Sequence, residues 1–269
     1  MHTLKLEQDE LDRKYKEAEF HDRRERLRHT DVEEYERITK NKQFYAINRS
    51  SRSFMERWLA ERCRNGAEAL DYCCGLGQSS LTMAQYGARV TGIDISAQSI
   101  GTAQARLASH GLAERARFVN GDAENTGFPD SSFDLILCNG VLHHLDVTKA
   151  YPELARILKP GGAVFCVEAL AHNPVFQLYR RLTPQMRTAW EVDHILSRRE
   201  IRLARGFFGQ VSPHFFHLAG LGAVPLRDSP AVFDVALRAL DAVDRLILRI
   251  PGLRWWAWQC LFVLTKPKK

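Results

Sequence analysis

The strongest constraint in the sequence is an alternation of short apolar runs and amphipathic helical patterns between about residues 67 and 167. Strands are predicted at 69–73, 89–94, 116–119, 133–138 and 163–167, and helical patterns lie around 79–86, 96–110, 141–145 and 148–158. Short strands that alternate with helices form right-handed βαβ crossovers. The pattern therefore predicts an α/β fold with a doubly wound parallel sheet.

The two flanks of this region have different patterns. Residues 1–65 are rich in charge and helix formers, and we expect an N-terminal helical cap there. Residues 66–170 would be a cofactor-binding core. Residues 171–269 would complete the sheet with a strand near 259–264 and add a helical insertion. That insertion has a helix capped by Ser197 and a long helix from about 231 to 250.

Composition restricts the class of protein. With 45% hydrophobic and 26% charged residues the chain resembles ordinary soluble proteins, and no apolar run reaches the ~18 residues of a membrane span. The charged N-terminus lacks the apolar core of a secretory signal, so we expect a cytoplasmic protein. The six cysteines have no zinc-binding spacing. We expect reduced, mostly buried thiols and no metal.

Candidate ligand-binding groups collect where the first two strands end, which is where open parallel sheets bind ligands. The first strand leads into Gly75 and Gly77, whose backbone can approach a ligand closely. The second ends at Asp94, 19 residues after Gly75, where an acid can accept bonds from ribose hydroxyls. Together they predict an adenosine-type ligand. The alternative role for Asp94 is that of a simple helix N-cap. A dehydrogenase is less favoured, because Ser80 stands where the dinucleotide fingerprint has its third glycine.

Four segments in this order resemble the class I S-adenosylmethionine-dependent methyltransferases of small-molecule type. Residues 70–77 resemble the family's glycine-rich motif, and residues 90–96 its ribose-binding motif. Residues 120–134 are similar to its adenine-binding segment, and residues 158–162 match the turn before its fifth strand. The resemblance spans roughly residues 67–168. It implies a Rossmann-like, mostly parallel seven-stranded sheet and S-adenosyl-L-methionine as cofactor.

The resemblance also implies residue roles. Asp71 would orient the ammonium group of the cofactor, Asp94 would bind the ribose, and Asp122 would accept from the adenine amino group. Asn139 would line the methyl-donor end. The implied cofactor-binding residues are Asp71, Cys73, Gly75, Gly77, Asp94, Ile95, Asp122, Ala123 and Asn139. Asp122 as a plain turn residue is the alternative, and Cys73 departs from the family because a glycine usually stands there.

Candidate catalytic residues follow the fourth strand. Methyl transfer needs a general base only if the acceptor must lose a proton, and His143 and His144 are the candidates. Consecutive helical residues point about 100° apart, so we expect at most one of them to face the pocket. Packing is the alternative role. Glu168, at the end of the fifth strand, is a candidate acceptor contact, and His21 lies on a segment that could cover the pocket.

The C-terminal third is expected to select the acceptor. The helix at 231–250 has a wide apolar arc that something must bury, either the core sheet or a lipophilic acceptor or membrane surface. From residue 163 onward the chain has 15 Lys or Arg against eight Asp or Glu, without a basic nucleic-acid arm. We expect methyl transfer to a small, lipophilic acceptor, with oxygen favoured over carbon or nitrogen, no nucleic-acid partner, and a peripheral membrane contact as a hypothesis. An RNA or protein methyltransferase and a non-catalytic cofactor-binding module are the alternatives.

Overall fold

One mixed sheet organises the chain. A computed structural model describes residues 2–268, without the side chains of residues 2–7, 40–42 and 185. Its sheet has the strand order β3-β2-β1-β4-β5-β7-β6. β1 to β5 run parallel to one another, and β7 runs antiparallel to both β5 and β6. The strands are β1 (Glu68–Tyr72), β2 (Arg89–Asp94), β3 (Ala116–Asn120), β4 (Phe133–Asn139), β5 (Leu158–Ala169), β6 (Phe208–Phe216) and β7 (Gln259–Pro267).

Helices flank this sheet and extend beyond it. They are α1 (His2–Thr30), α2 (Val32–Ile38), α3 (Arg49–Arg62), α4 (Gln78–Gln85), α5 (Ala97–Ser109), α6 (Val147–Ile157), α7 (Pro174–Leu182), α8 (Ala189–Asp193), α9 (Arg198–Leu203) and α10 (Pro230–Ile247). The predicted cap of α9 is confirmed, because Ser197 Oγ accepts from the backbone N–H of Arg199 and the Glu200 carboxylate accepts from the N–H of Ser197. The seven-stranded, mostly parallel sheet with N-terminal helices and a helical C-terminal insertion is likewise confirmed.

Both faces of the sheet are buried, which explains why its strands are continuous apolar runs. On one face, Leu70 and Tyr72 of β1 pack with the residues of α6. On the other face, Ala69 of β1 packs with α3, α4 and α5. A third apolar cluster joins the 3₁₀ helix at Lys40–Ile47, α7, the 3₁₀ helix at Ala219–Leu226 and α10. The chain outside the parallel core thus has a small apolar core of its own.

The structure contains one strand that the sequence patterns did not locate, and it buries one helix less than expected. β6 carries Pro213 at the outer edge of the sheet, and proline masks the alternating pattern by which strands are recognised. The apolar arc of α10 is only half buried: Phe233 and Leu237 are in the core, whereas Val235 and Leu246 are exposed. The expectation that the core sheet buries the whole arc is therefore wrong.

Among the described residues, no helix is both long enough and apolar enough to cross a bilayer.

Replacement of Gly77 by alanine should destabilise the fold. Gly77 has φ +73°, and a Cβ there would lie 2.8 Å from the Cβ of Ala103 in α5. We expect the left-handed strain and the overlap together to lower the free energy of unfolding by about 2–4 kcal/mol in urea denaturation. Gly101 is a matched control on α5, because a Cβ there meets nothing within 4 Å. Gly101→Ala should raise stability by about 0.5–1 kcal/mol, and equal effects of the two variants would contradict the packing described here.

Candidate active site

The loop between β1 and α4 forms the floor of a large cavity. Its residues Cys73, Gly75 and Gly77 all have left-handed backbones, with φ +57°, +48° and +73°. A Cβ at Gly75 would meet nothing within 4 Å, because this glycine faces open space. The loop therefore presents bare backbone to the cavity, as a ligand-binding glycine loop requires. Cys73 adopts the conformation of the family's glycine with a side chain attached, at an expected cost of about 1–3 kcal/mol.

The cavity has a volume of about 910 Å³ and lies along the carboxyl ends of β1, β2, β4 and β5. It brings together nearly all the residues that the sequence singled out, namely Asp71, Cys73, Gly75, Asp94, Ile95, Asp122, Ala123, Asn139, His143 and His144. Gly77 is not among the lining residues. Gly77 instead allows its backbone to pack closely against Ala103, because it has no side chain.

Asp94 connects the ends of β1 and β2. One carboxylate oxygen accepts from the Gly75 N–H at 2.8 Å, and the other accepts from the Ser96 N–H at 2.9 Å. The N-cap of α5 is Ser96, whose hydroxyl accepts from Ser99 N–H, so the alternative role of Asp94 as an N-cap is wrong. Burial raises the pKa of Asp94, although these backbone bonds oppose that shift. Each oxygen retains lone-pair capacity for a further donor such as a ribose hydroxyl.

Asp71 is a buried acid without a cationic partner among the described residues. It is 2% exposed, and the Ser80 hydroxyl donates to it at 2.6 Å. Burial raises the pKa of Asp71 to about 7. A cationic ligand group beside it would restore the carboxylate, and the ammonium of S-adenosylmethionine is such a group. This orphan acid, together with the bare glycine loop, shows that the residues present fit that cofactor.

The long N-terminal helix covers the adenine end of the cavity. Lys14 Nζ donates to Asp122 at 2.8 Å, and Arg13 forms a bidentate pair with Glu124 at 2.6 and 2.7 Å. Burial would lower the pKa of Lys14, but its bonds to Asp122 and to Glu10 raise it above its ordinary value. Asp122 also accepts from the backbone N–H of Glu124, as the turn-residue alternative anticipated. A bound adenine amino group would share this carboxylate with Lys14.

The two candidate catalytic histidines both line the cavity, so the expectation that at most one would face it is wrong. They lie in a 3₁₀ turn, Leu142–His144, rather than in an α-helix. His143 Nδ1 is 2.7 Å from Glu168, and His144 Nδ1 is 3.1 Å from Glu17. The two rings therefore contact two different carboxylates at the cavity wall.

Glu168 is the most firmly fixed acid in the site. It is 1% exposed and accepts from the backbone N–H groups of Val141 and Leu142 at 2.9 and 2.7 Å, besides its bond to His143. Burial alone would lower the pKa of His143, but the Glu168 carboxylate outweighs it and raises that pKa. Glu168 therefore holds the imidazole with Nδ1–H toward it and leaves Nε2 as the available base.

Several cavity residues were not anticipated from the sequence. On α1 these are Arg13, Lys14, Glu17 and Arg24, and at the other end of the cavity Ser51, Glu191, Trp258 and Gln259. The signal for the first group was present: polar residues at 10, 14, 17, 21 and 24 recur at steps of four and three, which places them on one helix face. The second group had no local signal, because its members lie in separate segments that only the fold brings together.

Comparisons with known proteins agree with this geometry. Residues 70–166 match the family model described as a methyltransferase domain. The chain is 36% identical over 115 residues to the uncharacterized methyltransferase YcgJ of Bacillus subtilis, covering 42% of this chain and 45% of that protein. It is 37% identical over 122 residues to demethylmenaquinone methyltransferase of Staphylococcus aureus, covering 43% and 49%. The matches thus span about half the length of these relatives.

A solved structure shares the fold. Geranyl diphosphate C-methyltransferase from Streptomyces coelicolor A3(2) superposes with a TM-score of 0.53 at 17% identity, over 79% of this chain and 78% of that one. The structural comparison thus shows a shared Rossmann-like fold. In sequence, residues 70–166 resemble methyltransferase domains.

Cofactor affinity should depend on pH through Asp71. The folded protein without ligand holds this acid with a pKa of about 7, and the ammonium of the cofactor favours the ionised form. Affinity for S-adenosylhomocysteine should therefore be full above pH 7 and fall up to about tenfold per pH unit below it. Calorimetric titration between pH 5.5 and 8 measures this.

The matched variants are Asp71→Asn and Asp130→Asn. Asp71→Asn should weaken binding and flatten the dependence on pH, whereas Asp130, an exposed acid paired with Arg156, should have no effect. A wild-type affinity that does not change across this range would show that Asp71 does not face the ammonium.

Proposed function

We propose that the chain transfers a methyl group from S-adenosyl-L-methionine to a small, lipophilic acceptor, with a hydroxyl oxygen as the favoured target. One observation carries the proposal: a single cavity of about 910 Å³ holds the cofactor-binding residues at one end and the His143–Glu168 pair beside apolar walls at the other. This volume is at the upper end of the range for small-molecule sites, which suits two adjacent ligands.

The far end of the cavity supports a lipophilic acceptor. Its apolar walls include Leu59, Phe176, Met186, Trp258 and Leu261. The buried indole N–H of Trp258 has no hydrogen-bond partner among the described residues, so it is a donor suited to an oxygen atom of the acceptor. Apolar walls with a few fixed polar groups are typical of small-molecule sites. One relative is named for demethylmenaquinone, a small molecule.

The mechanism assigns His143 as the base. When bound, the cofactor supplies an electrophilic methyl group on a sulfonium. His143 Nε2 takes the proton of the acceptor hydroxyl as that oxygen is methylated, and the donor would leave as a neutral thioether. Glu168 stabilises the imidazolium that results. The rest of the cavity aligns the acceptor and excludes water.

His144 has a different role in this proposal. Its ring contacts Glu17 and lies edge-to-face against His21, and its backbone carbonyl accepts from Arg13 at 3.1 Å. These contacts all come from α1. His144 therefore positions the helix over the cavity and is a positioning residue rather than the base.

Replacement of His143 should affect turnover and not cofactor binding. His143→Asn should lower kcat about 10²–10⁴-fold with a panel of lipophilic phenols and prenyl alcohols and radiolabelled methyl donor. The affinity for S-adenosylhomocysteine should not change. Wild-type kcat should rise with pH through the pKa of His143, which Glu168 holds above the ordinary value for histidine, and this limb should vanish in the variant.

The matched control is His110→Asn, at an exposed histidine at the end of α5, which should leave turnover unchanged. Equal turnover by wild type and His143→Asn would refute the assignment of the base. Cofactor binding without turnover on any class of acceptor, including RNA and protein, would favour the non-catalytic module.

A peripheral membrane contact would explain the exposed side of the C-terminal helices. Large apolar side chains are exposed on α7, α10 and the segment that follows, which we name the α7–α10 patch. They are Val175, Leu178, Leu182, Val232, Val235, Val243, Leu246, Ile250, Leu253 and Trp256. The Asn173 amide at the start of α7 donates to the Trp256 carbonyl at 2.7 Å, which joins the two parts. Exposed arginines Arg238, Arg245 and Arg249 accompany the patch and suit anionic lipid.

Binding to vesicles tests the α7–α10 patch. The protein should sediment with phosphatidylglycerol vesicles at low salt and much less with phosphatidylcholine vesicles. Leu246→Glu, at a residue 66% exposed, should reduce the bound fraction at least fivefold. Val32→Glu, at a comparably exposed residue on α2, should not. No sedimentation with anionic vesicles would remove the membrane from the proposal and leave the catalytic part intact.

A further inference from the structure

A second cluster of possible ligand atoms lies outside the active site, where β6 ends. His217 follows β6 directly, is 1% exposed, and has a left-handed backbone with φ +65°. Its Nε2 is 2.9 Å from the hydroxyl of Ser51. Its Nδ1 is also buried but has no hydrogen-bond partner among the described residues. A buried ring nitrogen without a partner costs free energy unless something binds it.

Two carboxylates of α10 face this nitrogen. Asp241 and Asp244 are three residues apart and therefore share a helix face. Ligand atoms from His217, Asp241 and Asp244 all lie within 4.8 Å of one another. Gly220 borders the centre of the cluster: a Cβ there would lie 3.2 Å from one carboxylate oxygen and 3.7 Å from both the other carboxylate oxygen and the ring nitrogen. The space between the three groups is open because this position is glycine.

The cluster has no directly paired cation among the described residues, and Arg245 and Arg49 act on Asp241 only through longer-range electrostatics. Asp244 is 5% exposed and accepts only from backbone N–H groups, those of Leu218, Ala219 and Gly220. Neither carboxylate forms an ion pair with a described Lys or Arg, and the nearby Arg49 pairs with Asp234 at 2.7 Å instead.

We propose that His217, Asp241 and Asp244 bind a divalent transition-metal ion of the Zn²⁺ class. One imidazole nitrogen and two carboxylate oxygens are ligands that Zn²⁺ accepts, with a fourth position left for water. Ligand distances of about 2.0–2.2 Å require the three side chains to move inward from their present spacing. Asp241, which is only partly buried, has the freedom to do so.

The ion would also fix hydrogen bonds that reach the active-site cavity. Metal on Nδ1 leaves the proton of His217 on Nε2, which then donates to Ser51 Oγ. The Ser51 hydroxyl in turn donates to Gln259 Oε1 at 2.8 Å. Ser51 and Gln259 both line the cavity. Metal binding itself does not depend on the proposed methyl transfer, so it can be tested without an acceptor.

Two other groups of possible ligands must be separated from this one. Glu17, His21 and His144 form one, and His143, His144 and Glu191 form the other. Both contain His144, so His144→Gln disables both. Their histidines already bond to carboxylates, with His144 paired to Glu17 and His143 paired to Glu168. They belong to the active site, whereas His217 has an unpartnered nitrogen.

The experiment is calorimetric titration of the chelator-treated full chain with Zn²⁺, repeated with Co²⁺ and visible absorption. We expect one ion per chain. Asp241→Asn and His217→Gln should each weaken binding at least tenfold, and His144→Gln and the control Asp228→Asn, at an exposed acid just before α10, should not. Asp241 is the informative position because its replacement leaves the backbone contacts of Asp244 intact. Circular dichroism verifies that each variant is folded.

Three outcomes would overturn the proposal. They are no Zn²⁺ uptake at 100-fold molar excess, uptake that His144→Gln abolishes and Asp241→Asn does not, and a thiolate-to-cobalt charge-transfer band, which would assign the ion to cysteine. A Co²⁺ spectrum without that band and dependent on Asp241 would support it.

Discussion

The carboxylate of Asp94 is the contact on which the site depends. It accepts from Gly75 on one side and Ser96 on the other, and so connects the glycine loop to the turn before α5. β1 and β2 are parallel neighbours with Tyr72 opposite Ile93, so both strands end at the same edge of the sheet. The Cys74 N–H donates to the Ile93 carbonyl at 2.9 Å and reinforces the connection. Without these bonds the three left-handed residues of the loop, at alternate positions, would have little to hold them in place.

Buried carboxylates in the cavity differ in how their charge is compensated. Glu168 has two backbone N–H groups and the His143 ring. Asp94 has two backbone N–H groups. Asp71 accepts from the hydroxyl and the backbone N–H of Ser80 and has no cationic partner among the described residues, and burial raises its pKa to about 7. Under the proposed function, the ammonium of bound S-adenosylmethionine would supply the positive charge that Asp71 lacks.

The helix α1 makes the site a closed cavity rather than an open cleft. Its contacts are electrostatic: Lys14 to Asp122, Arg13 to Glu124 and Glu17 to His144. Such contacts are directional but individually modest in free energy, because each pair must be desolvated. Under the proposed role of Asp122, a bound adenine amino group would share with Lys14 a carboxylate that attaches α1.

Local patterns in the sequence determined the parallel core. Short apolar runs and helical periodicity predicted β1 to β5 and β7, the glycines and Asp94 predicted the ligand loop, and the family resemblance pointed to Asp71 and Asp122. These features depend only on residues that are near neighbours along the chain.

The tertiary structure alone determined which distant residues contact them. Lys14 meets Asp122 across 108 residues, His143 meets Glu168 across 25, and Pro213 conceals the edge strand β6. The His217–Asp241–Asp244 cluster also depends on the packing of α10 against the end of β6. Contacts between distant segments depend on which faces of the helices and strands pack together. The local periodicity of the sequence does not determine this packing.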